Sequence, residues 1–296
     1  MTNESAADAV FGPGGTPPGP SAVPSQVVPL PPELTQAART LFGERLPLAE
    51  RYAELLATDG VVRGLIGPRE APRIWERHLI NCAAVAELLP PDCSVVDVGS
   101  GAGLPGLVLA VARPDLSVTL IEPLARRTAF LAEAVALLGL DRSVTVLRAR
   151  AEEVVSNRAG SGGLPPADVV TARAVAPLDR LAGWCLPLAA VGGRLLALKG
   201  ASAADEVTEH HAAVERLGGG PASVRRCGVG VIDPPTTVVE IVRERAVEAP
   251  KGKATRGKTA KTPQRETRST RAERRSGPPP GSAFGGNRGG RSQPQR

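Results

Sequence analysis

From Ser94 onward, short β-branched runs alternate with amphipathic stretches, and few folds accommodate that rhythm. The runs are SVVDV (94–98), SVTLI (117–121), SVTVL (143–147), DVVTA (168–172) and RLLALK (194–199). Segments 105–112, 124–138, 177–189 and 202–217 lie between and after them and follow the helical period. The junction between the third and fourth runs is shorter and looser. Turn residues bound each run, so the pattern predicts βαβ units and a parallel sheet. Two further runs, ASVRRCGV (222–229) and TVVEIVRE (237–244), leave no room for a helix between them and predict an antiparallel hairpin. The expectation is an α/β chain with a mostly parallel, seven-stranded, Rossmann-like sheet. No internal repeat interrupts it.

Upstream, residues 33–91 predict a small helical region. Leu34, Ala37, Ala38 and Leu41 follow the helical period, as do Leu48, Tyr52, Leu55 and Leu56, then Ile74, Leu79, Val85 and Leu88. Pro90 and Pro91 end it. Residues 1–32 are rich in Pro and Gly and 247–296 in Lys, Arg, Gly and Pro; both predict disordered tails. This leaves 92–246 as the ligand-binding domain. The net charge of +6 belongs to the C-terminal tail, whose 13 Lys or Arg against 3 Asp or Glu give +10; the rest of the chain carries −4. Any contact of the folded part with a polyanion must therefore come from a local patch. Cys82, Cys93, Cys185 and Cys227 form no C-x-x-C pair and no disulfide framework, so reduced thiols in a cytoplasm are expected. No run of 18 apolar residues predicts a membrane span, and no basic segment followed by an apolar one predicts a secretory signal.

The first strand runs into Asp97-Val98-Gly99-Ser100-Gly101-Ala102-Gly103-Leu104-Pro105-Gly106. Doubly wound sheets bind nucleotides at such a loop. Gly101, Gly103 and Gly106 fit G-x-G-x-x-G, a weak signal alone that gains weight between a strand and a helix. Asp97, just before the glycines, would repel a pyrophosphate. It suits a ligand carrying a sulfonium and an ammonium, as S-adenosylmethionine does; the plainer alternative is that Asp97 supports the turn. Glu122, at the end of the second strand, can accept hydrogen bonds from ribose hydroxyls or stand as an ordinary strand-end carboxylate. Five parallel strands and a closing hairpin are the layout of class I methyltransferases. An oxidoreductase using NAD and a small-molecule methyltransferase are the alternatives.

After the third strand, Ala151 and Glu152 in RAEE are placed either for contacts to an adenine or as a plain helix start favoured by the dipole. At the end of the fourth strand, TARAVAP lacks the Asn or Asp, Pro-Pro and aromatic motif often used to methylate exocyclic amines. No cysteine sits beside a proline, as a C5-methylating nucleophile commonly would. Both absences are consistent with a nucleophile that needs no deprotonation, such as guanine N7, for which catalysis can rest on alignment. Arg173 is the positioning candidate, with a surface ion pair as its alternative. His210 and His211 lack partners at ligand spacing, so no metal is expected. His78 reads as a packing residue or a substrate contact, and Trp75 and Trp184 as core or interface residues. Arg63, Arg69, Arg73 and Arg77 form the densest basic group outside the tail, able to meet RNA phosphates or to form a solvated face.

Taken together, DVGSGAGLPG, IEPLARRTAFL, RAEE, TARAVAPL and GGRLLALKG, with WERHLINC upstream, resemble the RsmG (GidB) family over roughly residues 34–245. The resemblance implies an S-adenosylmethionine-dependent enzyme that methylates N7 of a guanine in the decoding region of 16S rRNA. Its cofactor contacts would fall on Gly99, Leu104, Ala151, Glu152 and Arg173, beside the Asp97, Gly101, Gly103 and Glu122 read from the residues. The implied partner is 16S rRNA or the small ribosomal subunit, and a monomer is expected. Nothing carries over to the tails.

Overall fold

The computed structural model describes residues 28–157, 163–173 and 176–247. The expected tails lie outside the described residues except for 28–32. That stretch packs rather than trails: Val28 and Leu30 rest against the core, and the Trp75 indole donates to the Val28 carbonyl at 3.4 Å.

Seven strands form one sheet: β1 (Ser94–Val98), β2 (Ser117–Ile121), β3 (Val144–Leu147), β4 (Ala167–Arg173), β5 (Ala189–Leu198), β6 (Ser223–Cys227) and β7 (Thr236–Val242). Their spatial order is β3-β2-β1-β4-β5-β7-β6. The first five pair in parallel, and β7 inserts antiparallel between β5 and β6. β5 starts five residues before the expected run, because Ala189 already pairs with Ala167 of β4, ahead of a register shift after which Arg194 pairs with Val169. The strand order reverses between β1 and β4, where open α/β sheets hold ligands at their carboxyl ends.

Side-chain alternation along the strands sorts the residues onto two faces. Val95, Val118, Leu120 and Val169 enter one hydrophobic cluster; Val96, Val98, Val170 and Ala172 enter the other. Asp97, Thr171 and Arg173 share the parity of Val95 and Val169. They therefore point to the first face, which α1 (Thr35–Phe42), α2 (Leu46–Leu55), α4 (Gly106–Ala112) and α5 (Ala125–Leu137) cover. The opposite face is covered by α6 (Ala151–Ser156), α7 (Leu178–Cys185) and α8 (Ala203–Arg216). Burial on both faces explains why the parallel strands read as nearly continuous apolar runs.

Helical geometry in the N-terminal region is irregular. Leu56–Gly60 and Trp75–Ile80 wind as π turns; the latter continues into α3 (Asn81–Ala84) and a 3-10 turn, Val85–Leu88. Trp75 is buried edge-on to Phe42, ring centroids 6.3 Å apart, so it is a core residue. The four cysteines are free and buried. No described helix is long and apolar enough to cross a membrane.

Candidate active site

The loop after β1 turns on three left-handed glycines, Gly99, Gly101 and Gly103, with φ of 70°, 59° and 92°. A Cβ at Gly103 would come within 2.6 Å of the Tyr52 hydroxyl and 2.8 Å of Leu107 Cβ. Tyr52, from α2, is fully buried and donates to the Ala102 carbonyl, bracing the loop from outside the sheet. Its place in an apolar helical period gave no hint of that polar role.

Asp97 faces into the protein. Its Oδ2 accepts from the Gly106 N–H at 3.1 Å and its Oδ1 from the Thr171 hydroxyl at 2.9 Å. The β1–β4 register sets Asp97 opposite Thr171. A Cβ at Gly106 would lie 2.6 Å from Asp97 Cβ, so the carboxylate needs a glycine there. Burial lifts the Asp97 carboxyl to about 6, against the hydrogen bonds that favour its charged form. The turn-supporting alternative for Asp97 is thus visible directly, as a tie between loop, helix and neighbouring strand.

Glu122 is also buried. Its Oε2 accepts from the Gly101 N–H and its Oε1 from the Leu124 N–H, each at 3.0 Å, and Arg127 stands 3.7 Å away. A carboxylate has about four acceptor positions, so two remain for hydroxyls of a ligand. Beyond β3, Ala151 is buried at the start of α6 and Glu152 is exposed; the helix is capped by Glu153, whose carboxylate accepts from the Arg150 N–H at 2.9 Å. Leu104 is half-buried against the first cluster.

Arg173 ends β4 and turns toward the N-terminal helices. Its Nη1 donates to Cys82 Sγ at 3.2 Å and its Nη2 to His78 Nδ1. Nothing in the sequence around either residue signals this pairing. A guanidinium can only donate, so His78 Nδ1 must carry a lone pair and the neutral ring its proton on Nε2. Burial, then the Arg173 charge, draw the His78 pKa down to about 4. Both residues line a cleft of about 840 Å³ with Glu70, Arg77, Asn81, Leu198, Lys199 and the Pro234–Pro235 turn before β7, among others. Lys199 is held by Glu206 at 2.7 Å and by the Ala176 carbonyl at 2.7 Å, which fixes the start of α7 beside the cleft.

The basic group read from the sequence is largely compensated. Arg63 forms a two-pronged pair with Glu133, at 3.1 and 2.5 Å, and Arg73 another with Glu76, at 3.1 and 2.7 Å. Arg77 stands 3.8 Å from Glu70. These are solvated ion pairs rather than a free cationic patch. Trp184 lies half-buried with Arg180 over its ring at 5.2 Å. His211 contacts the Thr208 carbonyl at 3.0 Å, and His210 stands 4.0 Å from Glu209. Among the described residues no group of three His, Cys, Asp or Glu could hold a metal ion.

Residues 45–231 match the sequence profile of GidB, rRNA small subunit methyltransferase G. The chain belongs to the GidB family. It is 74% identical over 219 residues to the ribosomal RNA small subunit methyltransferase G of Salinispora tropica, covering 73% of this chain and 89% of that one. The protein of the same description from Salinispora arenicola is 70% identical over 223 residues, 75% of this chain and 91% of its own. The match to the family takes in both the glycine loop and the His78–Arg173 contact. Among solved structures, a SAM-dependent O-methyltransferase from Thermotoga maritima aligns with a TM-score of 0.42 and 16% identity, over 57% of this chain and 66% of that one. The fold assignment rests on the strand order above.

Proposed function

We propose that this chain is an S-adenosylmethionine-dependent methyltransferase that modifies N7 of a guanine in the decoding region of 16S rRNA. The observation that carries the reading is the pairing of two buried carboxylates, Asp97 and Glu122, with a left-handed glycine loop at the strand-order reversal of a GidB-family chain. The names of the relatives supply the rRNA. The donor set fits the cofactor. The Gly101 N–H is already committed to Glu122, which takes away a backbone donor that a phosphate could use and sets a carboxylate against the glycine loop. That favours a cationic nucleoside ligand over NAD.

Bound S-adenosylmethionine supplies an electrophilic methyl group. Gly99, Gly101, Gly103 and Leu104 would hold its amino-acid part under the field of Asp97. The free acceptor positions of Glu122 would take the ribose, and Ala151 and Glu152 the adenine. Arg173 positions substrate or cofactor at the mouth of the cleft. No group need remove a proton, since guanine N7 offers a free lone pair, so alignment carries the rate. In this reading residues 33–91 form a helical flank of the catalytic domain at 92–246, and the protein works in the cytoplasm as a monomer.

Thermal shift with S-adenosylhomocysteine against NADH tests the cofactor: stabilisation by NADH alone overturns it. For the chemistry, single-turnover rates should be nearly flat from about pH 6.5 to 8.5. Replacing the target guanine by 7-deazaguanine should abolish transfer, and methylation of the deaza substrate would place the acceptor on another atom.

A further inference from the structure

Several polar contacts in the cleft span the two parts of the fold, and one of them sets a histidine against an arginine. Arg173 comes from the sheet and His78 from the π turn Trp75–Ile80 of the helical region, 95 residues apart in sequence. His78 is 4% exposed, and its Nε2 is buried without a hydrogen-bond partner. The nearest acid to that nitrogen is Glu70, at 3.8 Å. Leaving a ring N–H unsatisfied costs free energy that an apolar side chain in the same place would avoid. A residue present only to fill the core therefore has little reason to be histidine here. What histidine supplies is a neutral acceptor at Nδ1, aimed at a guanidinium that Cys82 holds only weakly.

We infer that His78 is a positioning residue: through Nδ1 it fixes the Arg173 guanidinium at the cleft mouth, so that the N-terminal helices complete the site built by the sheet. Among the described residues, two of the five Arg173 donors are committed, to His78 and Cys82, and the others are open to a ligand. The charged groups around the ring are Arg173, Arg77 and Glu70, with the Cys82 thiol beside the guanidinium. Glu70 alone favours the protonated ring, while burial and both arginines oppose it, so the acceptor form persists at working pH. The inference rests on the functional reading only in making Arg173 a ligand contact; the contact itself is independent of it.

The test uses the full chain. It has three histidines, so long-range nitrogen–proton correlation on uniformly ¹⁵N-labelled protein resolves each ring, and His78→Asn identifies the signal. At pH 7 His78 should be neutral with its proton on Nε2, and Arg173→Ala should shift its Nδ1 resonance strongly. Calorimetric titration with S-adenosylhomocysteine should show about a ten-fold loss for His78→Leu, as a lost hydrogen bond to a charged group implies. His78→Asn, whose amide oxygen can stand in for Nδ1, should restore most of the affinity. The double variant His78→Leu with Arg173→Ala should bind as weakly as Arg173→Ala alone, because one residue acts through the other. The melting temperature of His78→Leu should not fall. A proton on Nδ1, a resonance indifferent to Arg173→Ala, or additive losses would overturn the inference. Absence of binding by the unaltered protein would overturn the functional reading instead, leaving the ring spectrum and its response to Arg173→Ala to decide this one. Should His78→Leu fail to fold, those spectra decide as well.

Discussion

The carboxyl ends of β1 and β4 lie side by side, yet they are built in opposite ways. At β1 the contacts to the loop backbone from its carboxylates are local: Asp97 reaches Gly106, nine residues on, and Glu122 reaches Gly101, 21 residues back, with the Asp97–Thr171 bond and the Tyr52 brace added from afar. Backbone N–H groups and carboxylates knit the loop, and glycines permit the turn. At β4 the contacts are long-range and made by side chains: Arg173 meets Cys82 and His78, 91 and 95 residues away. A local cradle depends on its own few residues. A long-range contact depends on the whole packing of helices on sheet, so the two halves should fail separately when altered.

The largest expected effect tests the local half. Gly101→Val should remove S-adenosylhomocysteine binding below calorimetric detection. A β-branched residue resists the left-handed conformation at Gly101, although a Cβ itself meets nothing closer than the Gly99 carbonyl at 3.8 Å. Because the space is open, the protein should stay folded, with near-native circular dichroism. Native affinity in this variant would remove the loop from the ligand site.

The next effect tests the long-range half through pH. The His78 ring is held well below its ordinary pKa, to about 4, so an unfolded chain binds its proton more readily. Relative to its value above about pH 6.5, stability is lost as pH falls toward 4, because the unfolded chain takes up a proton that the folded ring excludes. Chemical denaturation of unaltered protein and His78→Leu at several pH values isolates it. The difference between them should be constant above pH 6.5 and move against the unaltered protein by up to about 3 kcal/mol near pH 4. A constant difference throughout would mean that the ring titrates alike in both states. Asp97, raised to about 6, has the opposite sign: its burial penalty eases as pH falls, which is why the variant comparison is needed.

Tyr52 joins the two halves, since a helix of the N-terminal region braces the glycine loop. Tyr52→Phe removes the donor to the buried Ala102 carbonyl and should cost about 1–3 kcal/mol in urea denaturation. Cofactor affinity should fall along with stability, unlike in Gly101→Val. Unchanged affinity would show that the loop holds its shape unaided.

The smallest effect on the fold is expected from truncation after Val247. The last described residues are secured without the tail: Arg243 donates to the Ala189 carbonyl at 2.5 Å and Arg245 to the Glu215 carbonyl at 2.6 Å. The melting temperature and cofactor affinity should stay constant. Nonspecific RNA affinity should drop at low salt and converge with that of the full chain at high salt, through counterion release. A melting point many degrees lower would make the tail part of the fold.

The strands were legible because burial on both faces leaves a signature that needs no partner: β1 and β2 coincide with their apolar runs. The glycine loop was legible for the same reason, since left-handed backbone calls for glycine wherever the rest of the chain goes. Helical period likewise marked α1 and α2, but it filed Tyr52 with its apolar neighbours. For the basic group from Arg63 to Arg77 the sequence left phosphate contact and a solvated face both open, and the partner of Arg63, Glu133, lies far from it in the chain. Charge, glycine and periodicity are properties of a segment, so the α/β sheet, the loop at its centre and the candidates around it could be read from the residues alone. Which face each candidate serves is a matter of strand parity and helix docking. Those turned Asp97 inward to Thr171, closed Glu122 on Gly101, and set His78 against Arg173. Packing alone settled the Asp97–Thr171 and His78–Arg173 contacts, because each joins groups, 74 and 95 residues apart, that nothing in their own neighbourhood obliges to meet.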